Sequence, residues 1–510
     1  MTTMTRLPTL LLTTLILAGC SVAPPYERPA MAIPTIFKHA PTKTAAGPDA
    51  GGQWKTAEPA DDLNRGEWWT IFQDADLDAL QRDAYDANQD IRAAAARLQQ
   101  SRAIQRGAQA ERLPSVDAGF GPTRQRPSPA SQGQVDDGAP RTATLWRAQA
   151  SVSYEVDLFG RVANSVAAAT AVTQRDQALF QSMLLALQAD VAHTYFQLRE
   201  LDAEQALYAD ALQLRADALR LMERRYQEGF IGELDVARSR AELAAAESES
   251  LALARRRATA EHALALLLGK APVDFSLPAS PLTGIDLRIP AGLPSTLLER
   301  RPDIAAAERA MAAANARVGI ARAAYFPSLT LTGATGFEAR ELGDLLQWSS
   351  RSFLLGPLAG TVLSLPIFDG GRREASVARS LAAWEEEAAH YRQTVLNAFR
   401  EVEDNLAGLR ILAEQGRAQH DAVTAAERAA TLSQIQYREG DVGYLDVIEA
   451  NRSVLLQQRV AVQIDAERAR TTVNLVRALG GGWHAPEEWR AAGRGGSGSG
   501  PASATPVKPG

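Results

Sequence analysis

Few side chains in this sequence are grouped in a way that could do covalent or metal chemistry. The six histidines stand at positions 39, 193, 262, 390, 420 and 484, too scattered for metal-ligand spacing. No glycine-rich phosphate loop is present, and no serine, histidine and acid arrangement of a nucleophile. No enzymatic activity, metal or cofactor is therefore expected. His193 falls among helically spaced apolar residues and reads as a packed or surface helix residue rather than a ligand. Two features remain, a thiol and a pair of acids. Cys20 is the only cysteine, so it has no internal disulfide partner. Asp446 and Glu449 stand three apart at the start of a helical pattern and so project from one face within a turn. Two readings of them stay open. Acids at a helix N-terminus offset its dipole; in a symmetric oligomer the same acids would stack as carboxylate rings that narrow a pore and favour cations.

The setting of the thiol is informative. Arg6 supplies a positive region, residues 10–17 a short apolar one, and Leu17-Ala18-Gly19-Cys20 a box of small residues before the cysteine. This pattern predicts a lipoprotein signal peptide over 1–19 and a diacylglyceryl group on Cys20, the alternative being a plain signal peptide that contains a cysteine. Ser21 follows, not an acid, which implies export to the outer membrane. Lipid alone would anchor the chain without spanning the bilayer.

The 510 residues carry a formal charge of -6, too small and too dispersed to attract nucleic acid. Hydrophobic residues make up 46%, and past the N-terminus charges or glycines break every apolar run well short of the roughly 20 residues a spanning helix needs.

The elements that must position these residues are written twice. Arg225-Tyr226-Gln227-Glu228-Gly229-Phe230-Ile231-Gly232-Glu233-Leu234-Asp235-Val236 matches Gln436-Tyr437-Arg438-Glu439-Gly440-Asp441-Val442-Gly443-Tyr444-Leu445-Asp446-Val447 at an offset of 211 residues. Val191, Leu198 and Leu201 fall on Val402, Leu409 and Leu412 at the same offset, and Leu268-Gly269 falls on Leu479-Gly480. Earlier in each half, Asp90-Ile91 with Leu113-Pro114-Ser115 matches Asp303-Ile304 with Phe326-Pro327-Ser328 at an offset of 213.

Within each copy the hydrophobic period changes in one order. Residues 88–112 are alanine-rich, with Ile91, Leu98 and Ile104 at helical spacing, until Pro114. Alternation follows: Trp146, Ala148, Ala150, Val152, Tyr154 and Val156 interleave with Arg147, Gln149, Ser151, Ser153 and Glu155, the length and pattern of a barrel strand. Strands are predicted near 114–126, 143–158, 327–338 and 352–368. Very long helices follow, about 161–226 and 372–437, with apolar seams at Leu184, Leu187, Val191, Tyr195, Leu198 and Leu201, and at Val395, Phe399, Val402, Leu406, Leu409 and Leu412. Each is expected to run roughly 100 Å and turn back at a glycine pair, Gly229 and Gly232 or Gly440 and Gly443. The predicted order is a signal peptide over 1–19 and a lipid-anchored segment with a helix over 20–87. Repeat 1 follows over 88–270 with its hairpin tip near 226–235, then a connector over 271–299 and repeat 2 over 300–482 with its tip near 437–446. A disordered tail over 483–510 ends the chain.

Four strands cannot close on themselves, and an open sheet edge in lipid leaves backbone groups unsatisfied. Three copies would supply twelve strands. The fold class expected is thus mixed α and β: a trimeric outer-membrane β-barrel, four strands per chain, continued by a periplasmic α-helical barrel of coiled-coil hairpins built from two internal repeats. A soluble coiled-coil scaffold with a small sheet is the alternative.

The chain resembles the outer-membrane-factor family, the TolC-like channels, and in particular its lipoprotein branch associated with resistance-nodulation-division pumps. The resemblance rests on Val22-Ala23-Pro24-Pro25-Tyr26-Glu27-Arg28-Pro29; on Trp68-Trp69-Thr70-Ile71-Phe72 with Asp74, Leu77 and Leu80; on Arg300-Arg301-Pro302-Asp303-Ile304; on Phe326-Pro327-Ser328; on Pro366-Ile367-Phe368-Asp369-Gly370-Gly371; and on the two Tyr-x-x-Gly turns. It implies a homotrimer in outer-membrane lipid, docked to a periplasmic membrane-fusion adaptor and an inner-membrane pump that drives efflux of drugs or toxic small molecules. It also implies that Asp446 and Glu449 form a periplasmic constriction, and that Tyr437 bonds Asp235 of the neighbouring hairpin as one link of a lock. Where some relatives place a base in that lock, this chain has Val442. The turn residues Tyr226, Glu228, Gly229, Gly232, Glu439, Gly440, Asp441 and Gly443 are the expected adaptor contacts. Six scattered methionines argue against a copper-dedicated channel. Type I protein secretion through the same duct, and a periplasmic scaffold lipoprotein, are the competing functions.

Overall fold

A computed structural model describes residues 22–31, 34, 36–39, 67–126, 142–282, 300–355 and 363–481. Cys20, with the predicted signal peptide and tail, lies outside the described residues. A 3-10 turn at Trp68–Phe72 leads into α1 (Ala75–Ala87) and α2 (Gln89–Ala110), then β1 (Ser115–Gln125), β2 (Ala143–Val156), α3 (Arg161–Gln227) and α4 (Glu233–Leu267). The same order returns as α5 (Pro302–Ala323), β3 (Ser328–Ala339), β4 (Arg351–Leu355), β5 (Leu363–Ser364), α6 (Arg372–Glu439) and α7 (Tyr444–Ala478). The long helices hold 67 and 68 residues, and each returning helix 35. The predicted fourth strand is met as two pieces, β4 and β5, both paired with β3, with 356–362 outside the described residues.

The chain divides into two compact units. The first contains the sheet, the leader 22–31 and the helix segments 95–110, 161–178, 306–323 and 372–394. Its sheet is antiparallel in the order β1-β2-β3-β4, and among the described residues β1 has no partner on its outer side. The register puts Val116, Ala118 and Phe120 beside Val152, Ala150 and Ala148, and the last three beside Gly333, Thr335 and Phe337. Opposed residues of an antiparallel pair point to one face, so an apolar face runs across the sheet with Tyr154 and Leu331 on it. Phe120 stacks on Trp146 there, ring centres 5.9 Å apart, while Phe120 stays 67% and Val116 69% exposed. The other face is polar: Arg147 pairs with Glu338 at 2.6 Å, and Gln149 donates to the Ser352 hydroxyl at 3.2 Å. Gly336 permits the β2–β3 approach, since a Cβ there would stand 2.1 Å from the Ala148 carbonyl oxygen.

The second unit holds 34, 36–39, 67–94, 179–282, 300–305 and 395–481 among the described residues. Its core gathers Trp68, Trp69, Leu77 and Leu80 against the seam residues Leu187, Val191, Tyr195, Leu198 and Leu201, with Val473 and Val476 of α7. Asp74 caps α1 by accepting from the Asp76 and Leu77 amides at 3.0 and 3.2 Å, and it also accepts the Tyr195 hydroxyl at 2.5 Å. Val395, Val402 and Leu406 are buried as the second seam predicts. His193 is half-buried, its Nε2 2.8 Å from the Asn474 amide oxygen; burial lowers its pKa, and the Asn474 bond opposes that. It is a packed helix residue. Asp202, buried, joins Arg257 at 2.6 Å and Arg199 at 3.2 Å, and both guanidiniums donate to carbonyls of 277–278, fixing the start of the connector.

One departure from the sequence reading follows from angle rather than composition. Ile104 is 66% exposed although Ile91 and Leu98 are buried. Six residues at about 100° each carry it off their stripe. Each returning helix ends on a glycine that the repeat match flagged without saying why. Gly269 (φ 64°) and Gly480 (φ 87°) are left-handed, and a Cβ on them would stand 2.4 Å from the Ala87 oxygen and 2.7 Å from the Arg300 oxygen.

Candidate functional site at the hairpin turns

Each long helix stops where its chain enters the left-handed region at Gly229 (φ 78°) or Gly440 (φ 85°). At both, a paired 6→1 and 5→2 bond closes the helix. The Phe230 amide donates to the Arg225 carbonyl at 2.8 Å and that of Gly229 to Tyr226 at 3.0 Å; Asp441 donates to Gln436 at 2.9 Å and Gly440 to Tyr437 at 3.2 Å. Gly232 and Gly443 then start the returning helices with extended backbone. Tyr226, Glu228, Glu439 and Asp441 are exposed at these turns, and beside them Phe230 and Leu234 are 69% and 61% exposed. The first turn is thus the more apolar of the two.

Asp446 occupies the third position of α7, where its carboxylate accepts the Gly443 amide at 3.0 Å while its own amide donates to the Gly443 carbonyl at 3.1 Å. The helix-capping reading of this acid is therefore realised in the protomer. Its carboxylate is nevertheless exposed, as is that of Glu449, which pairs with Arg452 at 3.1 Å. The two acids share one side of the first turns of α7, whereas Val447 and Ile448 are buried.

Tyr437 is half-buried. Its hydroxyl accepts from Arg225 at 2.8 Å and donates to the Met222 sulfur at 3.8 Å. Burial pushes its pKa up, Arg225 pulling it down and the Asp235 charge adding to the rise, so the hydroxyl stays protonated at neutral pH. Asp235 itself lies near Arg238 at 3.9 Å. Among the described residues the Tyr437–Asp235 hydrogen bond is not made inside the protomer; the Arg225–Tyr437 bond links the two hairpins instead.

A second link has no signature in the sequence. Glu242 of α4 is 8% exposed and lies between Arg215 of α3, at 3.5 Å, and Arg452 of α7, to which it forms a short ion pair. Arg452 also holds Glu449, so one guanidinium couples the candidate constriction acid to a buried acid of the other hairpin. The pairing of positions 242 and 452 joins different helices, and no spacing rule reaches that far. A cleft of about 280 Å³ adjoins this cluster, lined by Leu214, Arg215, Glu242, Tyr444, Ile448 and Asn451 among others. Among the described residues no three His, Cys, Asp or Glu side chains are grouped to hold a metal, and no helix is long and apolar enough to cross a membrane.

Comparison with known proteins agrees with this architecture. The chain is 35% identical to the probable efflux pump outer membrane protein SepC of Pseudomonas putida over 479 residues, covering 92% of this chain and 95% of SepC. It is 33% identical to the outer membrane protein OprJ of Pseudomonas aeruginosa over 476 residues, 93% of this chain and 95% of OprJ. The solved outer-membrane channel OprN superposes with a TM-score of 0.80 at 29% identity, over 91% of this chain and all of OprN. A sequence profile described as "Outer membrane efflux protein" matches residues 80–270 and 293–481. The chain belongs to the outer membrane efflux protein family.

Proposed function

We propose that this protein is the outer-membrane exit duct of a tripartite efflux system. In this reading a homotrimer conducts drugs or toxic small molecules passively while an inner-membrane resistance-nodulation-division pump supplies the energy. The observation that carries it is the unfinished sheet. A strand of 11 residues stands at its open edge, beside strands of 14 and 12, and an apolar face lies uncovered behind them. Strands of this length suit a tilted crossing of the hydrocarbon core, and an edge facing lipid would leave its N–H and C=O groups unmet. With β4 and β5 acting together as the fourth strand, three protomers complete a twelve-stranded barrel. Its polar face, with Arg147, Gln149 and Glu338, would line water.

The long helical hairpins then continue the duct into the periplasm, and their turns are the control point. Asp446 and Glu449 would form two acidic rings there. The Arg225–Tyr437 bond, the Glu242–Arg452 pair and, between protomers, a Tyr437–Asp235 bond would hold the rings closed. The exposed turn residues, with Phe230 and Leu234, would dock the adaptor. Cys20 would carry the lipid anchor. Cys20→Ser should lose incorporation of labelled palmitate while retaining the wild-type melting temperature; undiminished labelling would remove Cys20 from this role.

The test is single-channel conductance in planar lipid bilayers. Wild type should conduct weakly, and Asp446→Ala with Glu449→Ala should conduct several-fold more. The Asp446→Asn with Glu449→Gln protein removes the charge while sparing the cap, worth about 1 kcal/mol, and should behave similarly. Unchanged conductance in both would take these acids out of the gate.

A further inference from the structure

We propose that the cleft between the leader and the first unit's helix segments of α5 and α6 binds a phosphate-bearing anion. The cleft holds about 430 Å³ and is roofed by Pro24, Pro25 and Pro29. Its walls present Arg322, on the last turn of α5, with Trp384 and Arg392 of α6. This inference is independent of the export reading, because none of these residues belongs to the strands or to the hairpin turns.

The roof is built. Tyr26 donates to the Glu308 carboxylate at 2.5 Å, Arg28 reaches the same oxygen at 3.6 Å, and the Asn315 amide donates to the Pro24 carbonyl at 3.1 Å. Gly319 lets the leader lie close, since a Cβ there would stand 2.7 Å from that of Ala23. With the leader pinned at both ends of the proline run, the cleft exists before any ligand arrives, and binding need not pay to order it.

Trp384, Arg322 and Arg392 present donors at the walls. The Trp384 indole N–H is buried and has no acceptor, and an indole nitrogen only donates. Arg322, half-buried, and Arg392 have no acid partner among the described residues. Glu27 is the only acid among the lining residues, against Arg28, Arg322 and Arg392. A buried donor is normally satisfied, and two guanidiniums without carboxylates beside it describe a place for oxygen-rich negative charge. Each guanidinium fork fits two phosphate oxygens at once, which a chloride ion does not offer. The phosphate can be free, or it can be the headgroup of an acidic lipid, since α5 leads directly into β3.

The full-length protein, purified in an uncharged detergent, separates these sources. Inorganic phosphate is titrated by calorimetry, and phosphatidylglycerol is compared with phosphatidylcholine by native mass spectrometry. Wild type should bind phosphate, or retain phosphatidylglycerol over phosphatidylcholine; the first assigns a free anion and the second a headgroup, and either supports the site. Arg322→Gln with Arg392→Gln should weaken binding about a hundredfold, and Trp384→Phe, which keeps the ring bulk, about tenfold. Arg379→Gln, exposed on the same helix but outside the cleft, should bind as wild type does. Melting temperatures establish that each variant is folded. Failure of wild type to bind either probe, or equal binding by the double arginine variant, overturns the proposal.

Discussion

Glu242→Ala will destabilise the protein by about 3–5 kcal/mol, lower its melting temperature and raise its conductance, whereas Arg452→Ala will cost less than about 1 kcal/mol. The asymmetry comes from burial. Glu242 has 11% of its side chain exposed and Arg215 has 17%, so removing the acid takes the carboxylate from a largely buried guanidinium and leaves it the residue-242 carbonyl, at 3.0 Å. Arg452 is 52% exposed, and its loss leaves Glu242 still paired with Arg215. Both variants cut the tie between α4 and α7 nearest the turns and leave the Arg459–Glu249 pair, at 3.3 Å, in place, so both should conduct more than wild type if the lost tie restrains the turns. Thermal unfolding and bilayer recordings of the two proteins check this. Equal stability of the two variants would mean that Glu242 is not the buried partner described here, and wild-type conductance in both would free the hairpins from this tie.

The second large effect lies far from the turns. Gly269→Ala and Gly480→Ala should abolish accumulation of folded protein, while Gly229→Ala and Gly440→Ala should cost only about 1–2 kcal/mol and still fold. All four glycines have positive φ. The difference is space: a Cβ on Gly229 or Gly440 meets nothing within 4 Å, whereas on Gly269 or Gly480 it runs into the backbone of Ala87 or Arg300. Those carbonyls lie immediately before the first helix of each repeat, α2 and α5, so the clash would push the repeat's last helix away from its first. Backbone cannot move aside as a side chain does, and the overpacking adds to the left-handed strain. Expression and melting of the four variants decide the matter; robust folding of Gly480→Ala would show that this junction yields.

The same junction shows what the sequence could and could not reveal. Repeating Leu268-Gly269 as Leu479-Gly480 announced two equivalent helix ends, and their positive φ is the reason a glycine stands at both. The partner across the junction was hidden, because the two copies solve it with different side chains. Asn88 donates to the Leu267 carbonyl at 2.9 Å in one, and Arg301 donates to the Ala478 carbonyl at 3.0 Å in the other. Arg301 also pairs with Asp303 and Glu401, both at 2.7 Å, so a neutral cap in one copy is an ionic one in the second.

At the turns, legibility followed the range of the interaction. Glycine spacing and the Asp446 cap are local and were readable from residues a few positions apart. Arg225 and Arg452 act across hairpins, on Tyr437 and Glu242 respectively, and their partners depend on how helices of two copies lie against one another. Strand β2 is readable from period 2 because one of its faces is apolar, whereas β1 alternates less strongly and β3 is rich in threonine and glycine, so both are fainter in the sequence. The stretch expected as the fourth strand alternates loosely, and only its ends are paired among the described residues, at β4 and β5.

The central claim is that one chain owns too little sheet to close and must be completed by copies of itself. Sedimentation equilibrium of the full-length protein, in a density-matched detergent and again after detergent removal, tests that most directly. The account predicts a mass of three protomers in detergent and precipitation without it. A stable monomer that stays dissolved in plain buffer would contradict it.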